Sequence, residues 1–223
     1  MAAGDAKSRL YEAALDLMGR RGIAETSTRE ILAAAGIKNP SAISYHFGSK
    51  AELVQEVAGE IASGQYPILG QQVELVADGR RPTATEWVQP FIDTAITLVS
   101  TERGCLLARI WWEYDGYMSP QSLEHFMLGN DPLVVQWRAA LHEAFPEIAP
   151  KVAVARNVTA LRTIGWMLAR MANIALQDDP FVETRKYLRF RRWLQEIVVT
   201  LVGAPSELED ADVEGPRVRG DDS

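Results

Sequence analysis

The chain has 223 residues, of which 47% are hydrophobic and 24% charged, as is typical of a globular protein. Its single cysteine, Cys105, excludes an internal disulfide and a cysteine-based zinc site within one chain, and we expect a buried thiol there. No signal peptide opens the sequence and no apolar run reaches about 18 residues, so we expect a cytoplasmic protein without a membrane span.

The net charge of −7 is unevenly distributed along the chain. Residues 1–53 hold seven Lys or Arg against six Asp or Glu, whereas the remainder carries −8 and residues 204–223 alone carry −5. An acidic body repels DNA, so the near-neutral N-terminal segment is the face on which a nucleic acid could dock.

The first elements are helices separated by turn signals. Apolar residues at three-four spacing predict an amphipathic helix over Leu10–Met18, ended by Gly22. Ser27–Glu30 fits a capping box, which predicts a short helix that stops at Gly36.

The next two helix starts follow closely. Asn39-Pro40 predicts an N-cap and a first-turn proline, opening a second short helix that runs to about His46. Ser49–Glu52 offers another capping box and predicts the start of a longer helix.

Farther along, cap-proline pairs and apolar stripes predict more helices, and Pro90 is expected to start or kink one of them. Two long helices are expected over 150–176 and 180–202. The cap-proline pairs are Ser119-Pro120, Asp131-Pro132 and Asp179-Pro180. No alternating run bounded by hairpin turns predicts a strand.

The sequence therefore predicts an all-α fold. We expect an N-terminal three-helix helix-turn-helix domain over 1–53 and a larger helical effector-binding and dimerisation domain over 54–203. The acidic segment 204–223 lacks large apolar residues and is expected to be disordered.

The segment Ser27–Phe47 carries the functional signal. Two short helices joined by Gly36–Asn39 have the turn length of a helix-turn-helix. Glycine lets the chain leave the first helix with positive φ, and Ile43 and Phe47 face the core. Ser41, Ser44 and Tyr45 then project outward, as the reading of base edges in a major groove requires.

Residues 10–53 resemble the N-terminal domain of the TetR family of regulators. The resemblance rests on Ala13-Ala14, Gly22, Ser27-Thr28-Arg29-Glu30-Ile31, Ala34-Ala35-Gly36-Ile37, Tyr45-His46-Phe47 and Ser49-Lys50. It implies a DNA-binding regulator, most often a repressor, that a small effector releases from a palindromic operator.

The resemblance also implies roles for single residues. Tyr45, His46 and Lys50 correspond to phosphate contacts. Thr28 approaches the DNA backbone, and Arg29 reads a base or a phosphate. Ser41 and Ser44 occupy recognition-helix positions, and Asn39 in the preceding turn completes the expected DNA-contacting set.

Aromatic residues in the middle of the chain line either an effector pocket or only a core. Because pockets are mostly apolar with a few polar groups, we expect a largely apolar or aromatic effector. The candidate pocket residues are Trp87, Phe91, Trp111, Trp112, Tyr114, Tyr117, Phe126, Trp137 and Trp166. Polar groups at such a pocket could come from Arg109, Glu113, Asp115, His125 and Asn173.

The last two helices are the expected homodimer surface, as the resemblance also implies. The basic run 185–192 keeps helical period, which favours a solvated face over a second nucleic-acid site. We expect no enzyme, cofactor or metal, because His46, His125 and His142 lack metal-ligand spacing and no nucleophile elbow or phosphate loop occurs. The alternative is a helical adaptor or small-molecule-binding protein whose helix-turn-helix serves protein contacts.

Overall fold

The computed structural model describes residues 3–114, 129–178, 185–205 and 207, and in these ranges the chain is helical without a strand. The helices are α1 Ala3–Arg21, α2 Thr28–Ala34, α3 Ala42–Phe47, α4 Lys50–Glu74, α5 Ala84–Val99, α6 with its described part at 102–114, α7 Pro132–Ala144, α8 Pro150–Asp178 and α9 Arg185–Gly203. The all-α prediction is confirmed. No helix in this part of the chain is long and apolar enough to cross a membrane.

A small core holds α1, α2 and α3 together. Leu10, Ile31, Ile43 and Phe47 are buried in it, and it continues along α4 as far as Val57. Three residues of α6 close its far side: Leu106, Leu107 and Ile110. The N-terminal helices are therefore packed directly against the helices that follow.

Helices α5, α7, α8 and α9 surround a second and larger core together with the C-terminal half of α4. A chain of buried hydrogen bonds crosses it. The indole Nε1 of Trp137 donates to Gln72 Oε1 at 2.7 Å, and Gln72 Nε2 donates to Trp87 O at 2.7 Å. Trp87 Nε1 then donates to Asn157 Oδ1 at 2.9 Å. Buried polar groups are costly unless paired, so this chain fixes how α4, α5, α7 and α8 meet.

Several helix starts agree with the sequence signals. The capping box of Ser27 and Glu30 is present, and the Ser27 bonds hold the pKa of the Glu30 carboxyl below its usual range. Asp131 caps α7 with Pro132 in its first turn. Cys105 is buried, and this burial raises the pKa of its thiol.

The start of α5 differs from the prediction. A capping box of Thr83 and Glu86 starts this helix at Ala84, so Pro90 lies inside it and does not begin it. Hydrogen bonds from the Thr83 backbone, then from Arg80 and the Thr83 hydroxyl, lower the pKa of Glu86 to about 2. The capping box decides where α5 starts, because it satisfies backbone N–H groups of the first turn that have no partner within the helix.

Some predictions fall on residues outside the described ranges. These are the Ser119-Pro120 and Asp179-Pro180 helix starts and most of the acidic segment 204–223. The boundary at residue 53 stays a prediction, because α4 is one continuous helix from Lys50 to Glu74.

Candidate nucleic-acid interface and ligand cavity

The turn between α2 and α3 is closed by backbone hydrogen bonds. Gly36 has φ +65°, and its N–H donates to Ala33 O while Ile37 N donates to Leu32 O at 2.9 Å. This pairing is the Schellman motif, which positive φ makes possible. Arg9 of α1 donates from Nη1 to Ala35 O at 2.9 Å, so a third helix holds the same turn.

Helix α3 begins two residues later than the sequence indicates. We expected Asn39 as its N-cap and Pro40 in its first turn, but the helix runs from Ala42 to Phe47. The Asn39 Oδ1 accepts from Ser41 N at 3.0 Å, and Ser41 stands at the N-cap without a side-chain bond. Asparagine side chains compete with helices for nearby backbone N–H groups, which explains the later start.

Helix α3 has one buried and one exposed face. Ala42, Ile43 and Phe47 are buried, whereas Ser44 and Tyr45 are exposed. The exposed fraction of Tyr45 is 79%, the highest of the large hydrophobic side chains recorded as exposed. An exposed aromatic side chain on a short, firmly held helix is free to contact a partner.

The other predicted DNA contacts lie around this exposed face. Thr28 and Arg29 are exposed at the start of α2, and His46 is half-buried with its ring edge-on to Tyr45 at 4.9 Å between centroids. Lys50, at the first turn of α4, is half-buried, and its Nζ donates to Ile23 O at 2.7 Å. In this structure the lysine is therefore engaged by the loop between α1 and α2.

A separate cavity of about 180 Å³ lies among α4, α5, α6 and α8. Of the predicted pocket residues, Phe91 and Trp111 line it. Its other walls are mainly aliphatic, with two glycines and two polar residues. The lining is Glu60, Ile61, Gly64, Ile68, Phe91, Thr94, Ala95, Leu98, Leu107, Ala108, Trp111, Leu161, Ile164, Gly165 and Leu168.

The remaining predicted pocket residues lie elsewhere. Trp87 and Trp137 are fully buried within the core network, and Trp112 and Trp166 are 38% and 43% exposed. Tyr114 is half-buried against the N-terminal core. These five do not line the cavity, because the helical period that brings an aromatic side chain inward is the same for a core as for a pocket. Tyr117 and Phe126 are outside the described residues.

Comparisons with known proteins agree with this geometry. Residues 10–57 match the family described as bacterial regulatory proteins, tetR family. The match covers most of α1, all of α2 and α3, and the first turns of α4. The two short helices and the turn in which the sequence predicts a helix-turn-helix lie within this matched segment.

A solved structure shows the same fold over most of the chain. The TetR-family transcriptional regulator PfmR of Thermus thermophilus is 20% identical, with a TM-score of 0.54 over 86% of this chain and 97% of that one. A protein of Mesorhizobium loti described as a TetR-family regulator is 17% identical, with a TM-score of 0.48 over 91% and 97%. A gamma-butyrolactone receptor, described as ArpA-like, is 19% identical, with a TM-score of 0.45 over 88% and 100%. No curated relative matches the sequence.

Helix α6 contacts the end of α1 and the α1–α2 loop through a set of bonds that we call the interdomain latch. The carboxylate of Glu113 accepts from Ile23 N at 2.9 and 3.0 Å and from Ala24 N at 3.3 Å. Arg109 Nη1 donates to Arg20 O at 3.1 Å. The backbone of Ile23 is thus held at its N–H by Glu113 and at its carbonyl oxygen by Lys50.

Sequence reasoning placed Arg109 and Glu113 among candidate pocket groups, whereas Arg109 bonds the last turn of α1 and Glu113 bonds the α1–α2 loop. The same analysis missed the close packing that accompanies the latch: a Cβ at Gly19 would meet Leu106 Cβ at 2.6 Å. Only glycine allows α1 to approach α6 so closely. Of the other polar candidates, Asn173 is exposed on α8, and Asp115 and His125 are outside the described residues.

A second set of bonds joins α1, α4 and α6 at the edge of the cavity. Glu60 accepts from Arg103 Nη2 at 2.9 Å and from the Tyr11 hydroxyl, while Arg103 Nη1 donates to Glu12 at 2.7 Å. Burial alone would raise the pKa of Glu60, but the bonds from Arg103 and Tyr11 outweigh it and lower that pKa. Glu60 is therefore an ionised carboxylate with its charge compensated by Arg103.

Proposed function

We propose that this chain binds a palindromic operator as a homodimer and represses transcription by blocking polymerase. The observation that carries the proposal is that α3 has one buried and one exposed face. The buried face packs in the core through Ala42, Ile43 and Phe47, and the exposed face presents Ser44 and Tyr45 to solvent. A helix held in this way can enter a major groove with its short polar side chains toward the base edges.

The expected contacts divide into two kinds. Ser41 and Ser44 face base edges, where short hydroxyl side chains donate or accept at close range. The backbone contacts come from the residues around the rim, with Arg29 able to reach a base or a phosphate. They are Thr28, Arg29, Asn39, Tyr45, His46 and Lys50.

The division can be tested by selecting bound sites from random duplex DNA and then comparing two variants. Lys50→Ala is expected to weaken binding to all sequences alike, because a phosphate contact carries no sequence information. Ser44→Ala is expected to change which sequences are selected, with about 0.5–1.5 kcal/mol lost at one base position, as for a single neutral hydrogen bond. Fluorescence anisotropy on the selected duplex and on scrambled duplexes measures both effects.

Equal losses on every duplex from both variants would contradict the division of roles. Lys38→Ala is a useful control, because Lys38 is an exposed cation in the α2–α3 turn without an assigned contact. The affinity that Lys38→Ala loses gives the general electrostatic effect of removing one positive charge. The affinity that Lys50→Ala loses is compared with this value.

Dimerisation is proposed through the outer faces of α8 and α9. Both helices expose large apolar side chains: Trp166 and Ile174 on α8, 54% exposed at Ile174, and Trp193 on α9. A two-fold axis through such a surface places the same patches against each other. It would set the two recognition helices about 34–36 Å apart, facing successive major grooves.

Ile174→Glu tests this surface. A carboxylate buried without a partner costs about 3–5 kcal/mol, and two-fold symmetry introduces it twice, so the dimer should dissociate at micromolar concentration. Val135→Glu is the matched control, because Val135 is also an exposed apolar residue, 44% exposed, but lies on α7. Sedimentation equilibrium should give a dimer for the unaltered chain and for Val135→Glu, and a monomer for Ile174→Glu. A dimer in all three would contradict the proposed interface.

Release from DNA is proposed to follow effector binding in the cavity among α4, α5, α6 and α8. The expected motion is a swing of α4, which begins at Lys50 and whose residues Glu60 and Gly64 line the cavity. An effector can drive it only by binding the two conformations with different affinity, typically with about 1–3 kcal/mol of coupling. The interdomain latch supports a second connection, because Trp111 lines the cavity on the same helix as Glu113.

A further inference from the structure

The cavity and the chemistry of its walls point to the class of effector. We infer that it is a compact, uncharged, apolar molecule of one or two rings, and that Gly64 and Gly165 set the limit on its size. The inference rests on the proposed function, since it concerns the ligand of an effector-released regulator.

The volume of the cavity limits the size of the ligand. At about 180 Å³ it is smaller than the roughly 300–1,000 Å³ of pockets that hold drug-sized ligands. It is close to the roughly 150 Å³ of an engineered apolar cavity that binds benzene. A ligand of one or two rings therefore fits without a rearrangement of the four helices.

The residues that line the cavity determine which charge a ligand can carry. Among the described lining residues, Glu60 and Thr94 are the polar ones, and both are exposed at the edge of the cavity. The Glu60 carboxylate is already paired with Arg103 and Tyr11. A charged ligand would therefore lose its hydration and meet no unpaired counter-charge in the described wall, which is costly. A hydroxyl on the ligand, by contrast, has the Thr94 hydroxyl as a neutral partner.

The two glycines in the wall set the width of the ligand that the cavity accepts. Gly64 lies inside α4 and Gly165 inside α8, although glycine is among the least favourable residues in a helix interior. Among the described residues, a Cβ at Gly64 would meet nothing within 4 Å, and one at Gly165 would meet only Trp111 Cδ1 at 4.0 Å. Neither residue has positive φ and neither is required by close packing. Both glycines line the cavity, so we expect a large side chain at either position to reduce its volume.

Three ligands of nearly equal size test the charge: benzyl alcohol, benzylamine as its cation, and benzoate. Isothermal titration calorimetry or saturation-transfer NMR on the full chain should show benzyl alcohol binding, with both ions at least about 10-fold weaker. The three-ring anthracenemethanol should fail to bind. Equal or tighter binding of either ion, binding of the three-ring alcohol as tight as that of benzyl alcohol, or no binding of benzyl alcohol would overturn the inference.

Two variants test the glycines. Gly64→Leu and Gly165→Leu should each weaken benzyl alcohol binding at least about 10-fold. Gly70→Leu is the matched control, because Gly70 lies on α4 with nothing within 4 Å of a Cβ but does not line the cavity. The Gly70→Leu variant should bind benzyl alcohol as the unaltered chain does. Binding retained in both wall variants would overturn the assignment.

Operator binding of the same proteins separates this inference from the proposed function. Variants that bind the selected duplex as the unaltered chain does are folded regulators, so a failure with the ligands then counts against the effector class alone. If the unaltered chain binds benzyl alcohol but ignores duplex DNA, the proposed function fails and the cavity assignment stands.

Discussion

Tyr45→Ala is expected to lower affinity for the selected operator by about 10- to 100-fold, since a hydrogen bond to a charged group contributes about 1.5–3 kcal/mol. Tyr45 has little to lose in the fold, because 79% of its side chain is exposed and the core-facing residues of α3 are Ala42, Ile43 and Phe47. The midpoint of thermal unfolding should therefore stay nearly constant while the anisotropy titration shifts. Loss of affinity without loss of stability is the signature of a direct contact.

Tyr45→Phe separates the hydroxyl from the ring. If the hydroxyl donates to a phosphate, the phenylalanine variant should lose most of the affinity that the alanine variant loses. Unchanged affinity in Tyr45→Ala would mean that this face of α3 does not meet DNA. A fall in thermal stability as large as the fall in affinity would instead make Tyr45 a structural residue.

Glu113→Ala is expected to expose the backbone of the α1–α2 loop to exchange with solvent. The carboxylate accepts from Ile23 N and Ala24 N, and these bonds are the link from α6 to that loop. With about 1.5–3 kcal/mol for a hydrogen bond to a charged group, the two amides should exchange at least about 10-fold faster. Hydrogen–deuterium exchange followed by NMR or mass spectrometry measures this at residues 23 and 24.

Glu113→Gln is the graded comparison, because an amide oxygen still accepts but carries no charge. In this variant the amides of residues 23 and 24 should exchange at a rate between those of the unaltered chain and Glu113→Ala. Trp112→Ala provides the control, as an exposed neighbour on the same helix. Unchanged exchange in Glu113→Ala would show that the latch does not hold the loop. Faster exchange throughout α1, α2 and α3 would indicate general unfolding of the domain.

Local signals predicted the two short N-terminal helices and the turn between them well. The Ser27 capping box, Gly36 and the alternation of buried Ile43 and exposed Ser44 each depend on residues within a few positions of one another. Such interactions are readable from the sequence because no distant contact is needed to form them. The later start of α3 shows the limit, since the Asn39 side chain and the helix compete for the same N–H groups.

The cavity and the latch could not be predicted in the same way. Trp87 and Phe91 lie four residues apart on α5, yet Trp87 bonds Asn157 in the core and Phe91 lines the cavity. Which of them meets empty space depends on how four helices pack. The latch joins residues 90 positions apart, and no local pattern marks Glu113 as the partner of Ile23. Glycines inside the long helices do not identify the cavity wall by themselves, because Gly64 of α4 lines the cavity and Gly70 of the same helix does not.

The direct test of DNA recognition through α3 is the salt dependence of binding to the selected duplex. For a protein that neutralises Z phosphates, the logarithm of the affinity falls linearly with the logarithm of the salt concentration, with a slope of about −0.9Z. We expect tight binding at low salt and a slope that reports several phosphate contacts, reduced by about one in Lys50→Ala. A chain that binds no duplex at low ionic strength, or whose binding is unchanged by salt, would contradict the account.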